Sequence, residues 1–162
     1  MARSAIAVLS RSPGSETTGG ARGGSGLCLA RRPQIAAGRV GLVLLGYTRR
    51  ALARRVNVVP AKKLRRAYLY CTKRRSGRVA AVFSKRSRAG RVELVLSTAP
   101  SAAFQRDYPR RQRLARGLYR SWPGSRRLLG VQRGRVVYVA VATRRVLGRP
   151  VRLVRDLRLA LR

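Results

Sequence analysis

Four acidic side chains, two cysteines and no histidine are the main groups this 162-residue chain offers to acid–base, nucleophilic or metal chemistry. General acid–base catalysis draws on histidine or on a carboxylate of tuned pKa, and a nucleophile needs an activating partner beside it. Glu16 lies in the amino-terminal tail, while Glu93, Asp107 and Asp156 stand singly among arginines, where a structural ion pair is the expected role. Cys28 and Cys71 have no metal-ligand spacing and no histidine to complete a set. Two cysteines make no disulfide framework, so both are expected as reduced thiols, with Cys71 packed in a core. No phosphate-cradling or dinucleotide-binding glycine pattern stands between a strand and a helix. The residues therefore predict no enzyme, cofactor, metal or small-molecule substrate.

The abundant chemistry is cationic. Lysine and arginine number 39 against 4 acids, a formal net charge of +35 at pH 7. Like charges at that density repel over a Debye length of about 8 Å at physiological salt, so the neutralising charge must come from another molecule. The candidates are nucleic acid, an anionic membrane or an acidic protein. No apolar run reaches the length of a transmembrane helix, and the basic residues spread along the whole chain where an amphipathic membrane anchor would gather them on one face. Arginine binds phosphate bidentately and stacks on bases, which suits RNA of irregular shape. Tyrosines are interleaved with the cations; most are expected to pack, and only Tyr119 and Trp122, in a loop, are candidates for base stacking.

Apolar residues make up 45% of the sequence, enough to bury a core, and this sets the elements that must position those cations. Residues 1–38 are rich in Gly, Ser, Ala and Arg without sustained period, and read as a targeting sequence or a flexible basic extension. Leu44, Tyr47 and Ala51 predict a helix over 40–53, followed by an extended Val56–Pro60. Leu64, Ala67, Tyr68 and Cys71, at i, i+3, i+4 and i+7, predict a second helix over 61–75 that ends at Gly77. Arg78–Phe83 and Arg91–Leu96 alternate as antiparallel strands, with Val79, Ala81 and Phe83 on one face and Val92, Leu94 and Leu96 on one face of the partner. Beyond Pro100 lie a polar, basic connection or helix over 101–115, a turn at Trp122-Pro123-Gly124, a strand over Arg135–Val141, and a tail, 151–162, that suits strand or helix. The fold class predicted is α/β of the α+β kind: two small domains, an α-β-α-β-β unit over 39–100 and a mostly β unit over 101–162, after the basic extension.

Against that layout, Val58-Val59-Pro60-Ala61-Lys62-Lys63-Leu64-Arg65-Arg66-Ala67-Tyr68 resembles the segment V-x-V-P-x-S-K-L-K-R-A-I, which opens the second helix of the universal small-subunit ribosomal protein eight family. Gly90–Leu96 is similar to that family's strand pair, and Arg116-Gly117-Leu118-Tyr119-Arg120-Ser121-Trp122-Pro123-Gly124-Ser125-Arg126 to its linker R-G-x-x-R-x-S-x-P-G-x-R. The resemblance covers about 40–150. It departs at the family's Ser-Thr-Ser-x-Gly loop, where this chain reads Ala142-Thr143-Arg144-Arg145 and keeps only Thr143, and the closing Gly-Gly-Glu strand is either lost or rebuilt from Arg152 to Arg162.

The resemblance implies a structural constituent of the small ribosomal subunit that binds the central domain of its rRNA during assembly, beside neighbouring ribosomal proteins. The RNA-binding set it selects is Lys62, Lys63, Arg65 and Arg66 on the second helix, Arg116, Arg120, Ser121 and Arg126 in the linker, and Thr143, Arg144 and Arg145 in the carboxy-terminal loop. With the Arg/Ser-rich amino terminus it points to a mitochondrial ribosome, then to another organellar or a cytoplasmic one. The alternatives are a different organellar ribosomal protein of either subunit and a DNA-compacting basic protein; the latter predicts tandem basic repeats, which the sequence lacks.

Overall fold

The structure, a computed structural model, describes residues 28–29, 33–73, 77–98, 112–121 and 124–162. Residues 1–27, most of the 101–115 connection with Asp107, the end of the expected second helix at 74–75, and Trp122-Pro123 lie outside the described residues.

Glycines decide the opening segment. A short three-stranded antiparallel sheet forms from β1 (Ile35–Ala36), β2 (Arg39–Val40) and β3 (Val43–Leu44). The turn between β2 and β3 uses Gly41 at φ 57°, a left-handed conformation that glycine adopts without a Cβ penalty. The helix expected over 40–53 is therefore displaced to α1 (Arg49–Val56). Its start is set by Thr48, whose hydroxyl accepts from the Ala51 N–H at 3.2 Å. Its end is set by Asn57 at φ 46°, with Arg54 and Arg55 placed favourably in the last turn. The expected extension likewise ends early: Leu29 is buried, and Cys28 is disulfide-bonded to Cys71. The two cysteines are thus a disulfide and not reduced thiols. Sequence spacing could not give that pairing because the partners are 43 residues apart and meet only when β1–β3 fold over the sheet.

The largest departure is at 61–75. Through 61–73 that segment forms no α-helix: β4 (Lys62–Lys63) and β5 (Ala67–Cys71) form a tight antiparallel pair, closed by the Leu64 N–H to Ala67 carbonyl bond at 2.7 Å. Ala67 and Leu69 pack on one side of the sheet and Tyr68 and Tyr70 on the other. A strand buried on both faces reads as a continuous apolar run, which helical spacing also matches. The strands expected next are present as β6 (Arg78–Phe83) and β7 (Val92–Ser97). A bulge between Val82 and Phe83 shifts the register, so Val92 packs with Phe83, Ala81 and Val79 and not on the Leu94–Leu96 side.

The second half supplies β8 (Gln112–Ala115), β9 (Leu118–Arg120), β10 (Arg127–Gln132) and β11 (Arg135–Ala142), then α2 (Arg144–Leu147) and α3 (Pro150–Leu161). The expected strand over 135–141 is β11, and the tail resolves as helix, started by Pro150 in its first turn. β7 pairs with β11, so both halves share one eight-stranded antiparallel sheet in the order β4-β5-β6-β7-β11-β10-β9-β8. The architecture is α+β. One face of the sheet is covered by α2 and α3, whose Val146, Leu153, Leu157 and Ala160 pack on Leu94, Leu96, Leu128 and Ala140. The other is covered by β1–β3 and α1, whose Val40, Val43, Leu52 and Val56 pack on Phe83, Val92 and Val95. At Gly130 the Tyr138 ring crosses the neighbouring strand so closely that a Cβ would lie 2.0 Å from its Cε1.

Burial pushes the phenols of Tyr70 and Tyr138 above the ordinary tyrosine value; for Tyr70 the neighbouring Tyr68 adds to that shift. The fold holds these protons more tightly than the unfolded chain does. Stability is therefore full below about pH 10 and declines as pH rises beyond it. Following phenolate absorbance and circular dichroism together should show these two tyrosines ionising late, along with loss of secondary structure. Ionisation of all six near pH 10 in an intact fold would contradict the packing.

Candidate nucleic-acid interface

Among the described residues the acids are Glu93 and Asp156, and both are buried. Asp156, on the inner face of α3, receives Arg66 at 3.2 Å and the Arg152 Nε at 3.5 Å. The other end of the Arg152 guanidinium donates to Glu93 on β7. Arg66 also donates through Nε to the Phe83 carbonyl at 3.1 Å. Each carboxylate is thus already neutralised inside the protein, and no acidic side chain among the described residues faces solvent. The exposed charged side chains of the described residues are all cationic.

Antiparallel pairing decides which cations come together. The β4–β5 turn, the β6–β7 loop, the segment before β10 and the start of α2 all lie at one end of the sheet, as Ala67↔Val82, Val82↔Leu94, Leu94↔Ala142 and Arg127↔Val141 require. Arg65, Lys85, Arg86, Arg88, Arg91, Arg126, Arg144 and Arg145 are exposed there. The end is braced by Arg49 of α1, which lies over the Phe83 ring at 4.0 Å and the Tyr68 ring at 4.9 Å and donates to the Arg65 carbonyl at 2.8 Å. Arg91 donates to the Gly46 carbonyl at 3.1 Å, tying the loop to the β1–β3 side.

Compared with family models, with curated proteins and with solved structures, the chain matches none.

The residues selected from the sequence are only partly united by this geometry. Arg65, Arg126, Arg144 and Arg145 all lie at the basic end, spread along it from the β4–β5 turn to β10. Lys62 and Lys63 are exposed on β4, an edge strand rather than a helix face. Arg116 sits in the β8–β9 turn at the far end. Six strand spacings of roughly 4.8 Å place β9 about 30 Å from β4, so the two edges are not one site. Arg120 is half-buried on β9, and Thr143 is half-buried as the residue preceding α2. Two selected residues are not available as free cations or surface contacts: Ser121 is 1% exposed, and Arg66, though partly exposed, is paired with Asp156. Tyr119 packs against Leu129 and Val139.

The sequence reading missed the β6–β7 loop, Lys85, Arg86, Arg88 and Arg91, and the outer face of α3, Arg155, Arg158 and Arg162. The α3 signal was present as spacing: those arginines recur at i, i+3 and i+7, out of phase with Leu153, Leu157 and Ala160. No helix among the described residues is long and apolar enough to cross a membrane.

Proposed function

We propose that this chain is a structural RNA-binding protein of a ribonucleoprotein particle. The observation that carries the reading is the uniform sign of the exposed side chains among the described residues: both described acids are buried in ion pairs, and arginines line one end of the sheet. Such a surface is stabilised when phosphates replace water and counterions around it. Contacts of this kind neutralise backbone charge, so recognition rests on the shape of folded RNA and little on base sequence.

In its finer form the reading is a constituent of the small ribosomal subunit, binding and stabilising the central domain of its rRNA during assembly, beside other ribosomal proteins in an organelle such as the mitochondrion. What supports this form is the motif order of Val58–Tyr68 and Arg116–Arg126. That support is weaker than the electrostatics, because the first motif forms β4 and β5 here and opens a helix in the family it resembles.

The test is binding of the purified chain to a small-subunit central-domain rRNA fragment across a salt series. With six to ten phosphate contacts, affinity should fall by about 10³ to 10⁵ between 50 and 200 mM salt. Absence of binding, or an affinity indifferent to salt, overturns the RNA reading; equal binding to any folded RNA overturns only the finer form. A second reading follows from the Cys28–Cys71 disulfide, since such bonds persist in oxidising compartments. It is a polyanion-binding protein outside any ribosome. Co-sedimentation of the native chain with ribosomal subunits separates the two.

A further inference from the structure

We infer that the outer side of α3 is a track for one unpaired strand of RNA, an inference that rests on the RNA-binding reading and gives it a specific site. Three open hollows, of about 440, 800 and 280 Å³, line up along this helix. The first and second share Pro150, Val151 and Arg155; the second and third share Arg66, Leu159 and Arg162. Shared walls make them one trough, running from the start of α3 past its end to the β4–β5 turn and the β6–β7 loop.

Its chemistry is two-fold. Arg149, Arg155, Arg158 and Arg162 line it along α3, and Arg65 and Arg86 continue the line beyond; all six are exposed. Arg66 and Arg152 also line it, but their charge is met by Asp156 and Glu93 from within. Between the cations the wall is aliphatic: Pro150, Val151, Val154 and Leu159, with Val151 86% exposed. Guanidinium planes and aliphatic side chains in alternation accept phosphates and the faces of unpaired bases.

Length and distribution select the occupant. A 12-residue helix spans about 18 Å, the axial length of roughly five stacked nucleotides. A small anion would engage two guanidinia and leave the others unmatched. A duplex presents phosphates outward and hides its base faces, so it would touch the cations and leave the aliphatic wall empty. A membrane surface needs a broad apolar face to insert, and the apolar face of α3, Leu153, Leu157 and Ala160, is buried on the sheet.

The experiment compares the full chain with a variant carrying Arg155→Gln, Arg158→Gln and Arg162→Gln, and with an equal-charge control carrying Arg113→Gln, Arg133→Gln and Arg135→Gln on exposed positions away from the trough. The probes are single-stranded oligouridylate of about ten nucleotides, twice the span of the trough, an RNA duplex of equal length, and anionic phosphatidylglycerol vesicles. Loss of three phosphate contacts should weaken oligouridylate binding on the order of ten- to fifty-fold at physiological salt and lower the log–log salt slope by about 2. The control should move neither by as much, and circular dichroism should show both variants folded. Ultraviolet crosslinking of thiouridine-substituted oligomer should mark peptides from 150–162. Equal losses in variant and control, equal losses on duplex and single strand, crosslinks elsewhere, or vesicle binding without oligouridylate binding would each overturn the track while leaving other RNA contacts standing. If the unaltered chain binds none of the RNAs, the RNA reading itself fails.

Discussion

Replacing Asp156 with alanine is expected to cost about 3–5 kcal/mol of folding stability, the largest effect of any single substitution away from the apolar core. The carboxylate is fully buried and lies between Arg66 at 3.2 Å and Arg152 at 3.5 Å. These two arginine side chains are only 18% and 16% exposed, so water replaces the lost charge only in part. The cost is that of leaving Arg66 half-buried without a counter-charge, while Arg152 keeps only Glu93, and it exceeds what the pair contributes over an apolar replacement. Against a total stability of some 5–15 kcal/mol for a domain, it is enough to depopulate the native state. Urea denaturation reads it as a fall in the midpoint at constant slope. Arg155 provides the internal comparison: it reaches Asp156 only at 4.0 Å and is 68% exposed, so Arg155→Ala should change stability by about 0–1 kcal/mol. A midpoint unmoved by Asp156→Ala would mean that α3 is not held to the sheet in this way.

Reduction of the Cys28–Cys71 bond should cost a similar amount. Closing a loop of 43 residues removes chain entropy from the unfolded state worth about 4 kcal/mol at 25 °C. The folded side contributes as well, because the bond seats Leu29 in the core and places it where its N–H donates to the Cys71 carbonyl at 2.9 Å and its carbonyl accepts from Lys73 N–H at 2.8 Å. The measurement is urea unfolding with and without reductant, repeated on Cys28→Ala, which removes the bond while leaving β5 intact. Unfolding that is the same in all conditions would show that the amino-terminal segment is not part of the cooperative unit. Compared by non-reducing gel, the native and reduced chains should differ in mobility.

The strands buried on both faces were not equally legible in the sequence: β6 and β7 were read and β5 was not. β11 was plain because valines alternate with other residues through Arg135–Val141, and β6 and β7 because their apolar runs are flanked by Gly77, Ser84 and Gly90. β5 was misread because Ala67, Leu69, Tyr68 and Tyr70 are buried to different degrees on both sides of the sheet, which erases the period of two. The hairpin of β2 and β3 was hidden in a segment whose apolar residues fit a helix, although Gly38, Gly41 and Gly46 mark its turns. Structural pairing of Glu93 and Asp156 with arginines was legible from charge alone. Which arginines would pair was not: Arg66 is 90 residues from Asp156, and only the sheet order brings them together. For the same reason the basic end was invisible residue by residue, since it is assembled from four separate connections.

The pairing of β7 with β11 has a consequence for synthesis. Strands β4–β7 are made first, yet one edge of β7 stays open and the Leu94–Leu96 side stays bare until residues 135–161 have emerged to supply β11 and α3. A nascent chain paused before that point presents an unpaired strand beside naked aliphatic surface, the combination that templates self-association. Translation speed across the stretch from β8 to α3 therefore sets how long each copy is exposed to its neighbours, while mutual repulsion between uncovered arginines on different copies opposes their encounter.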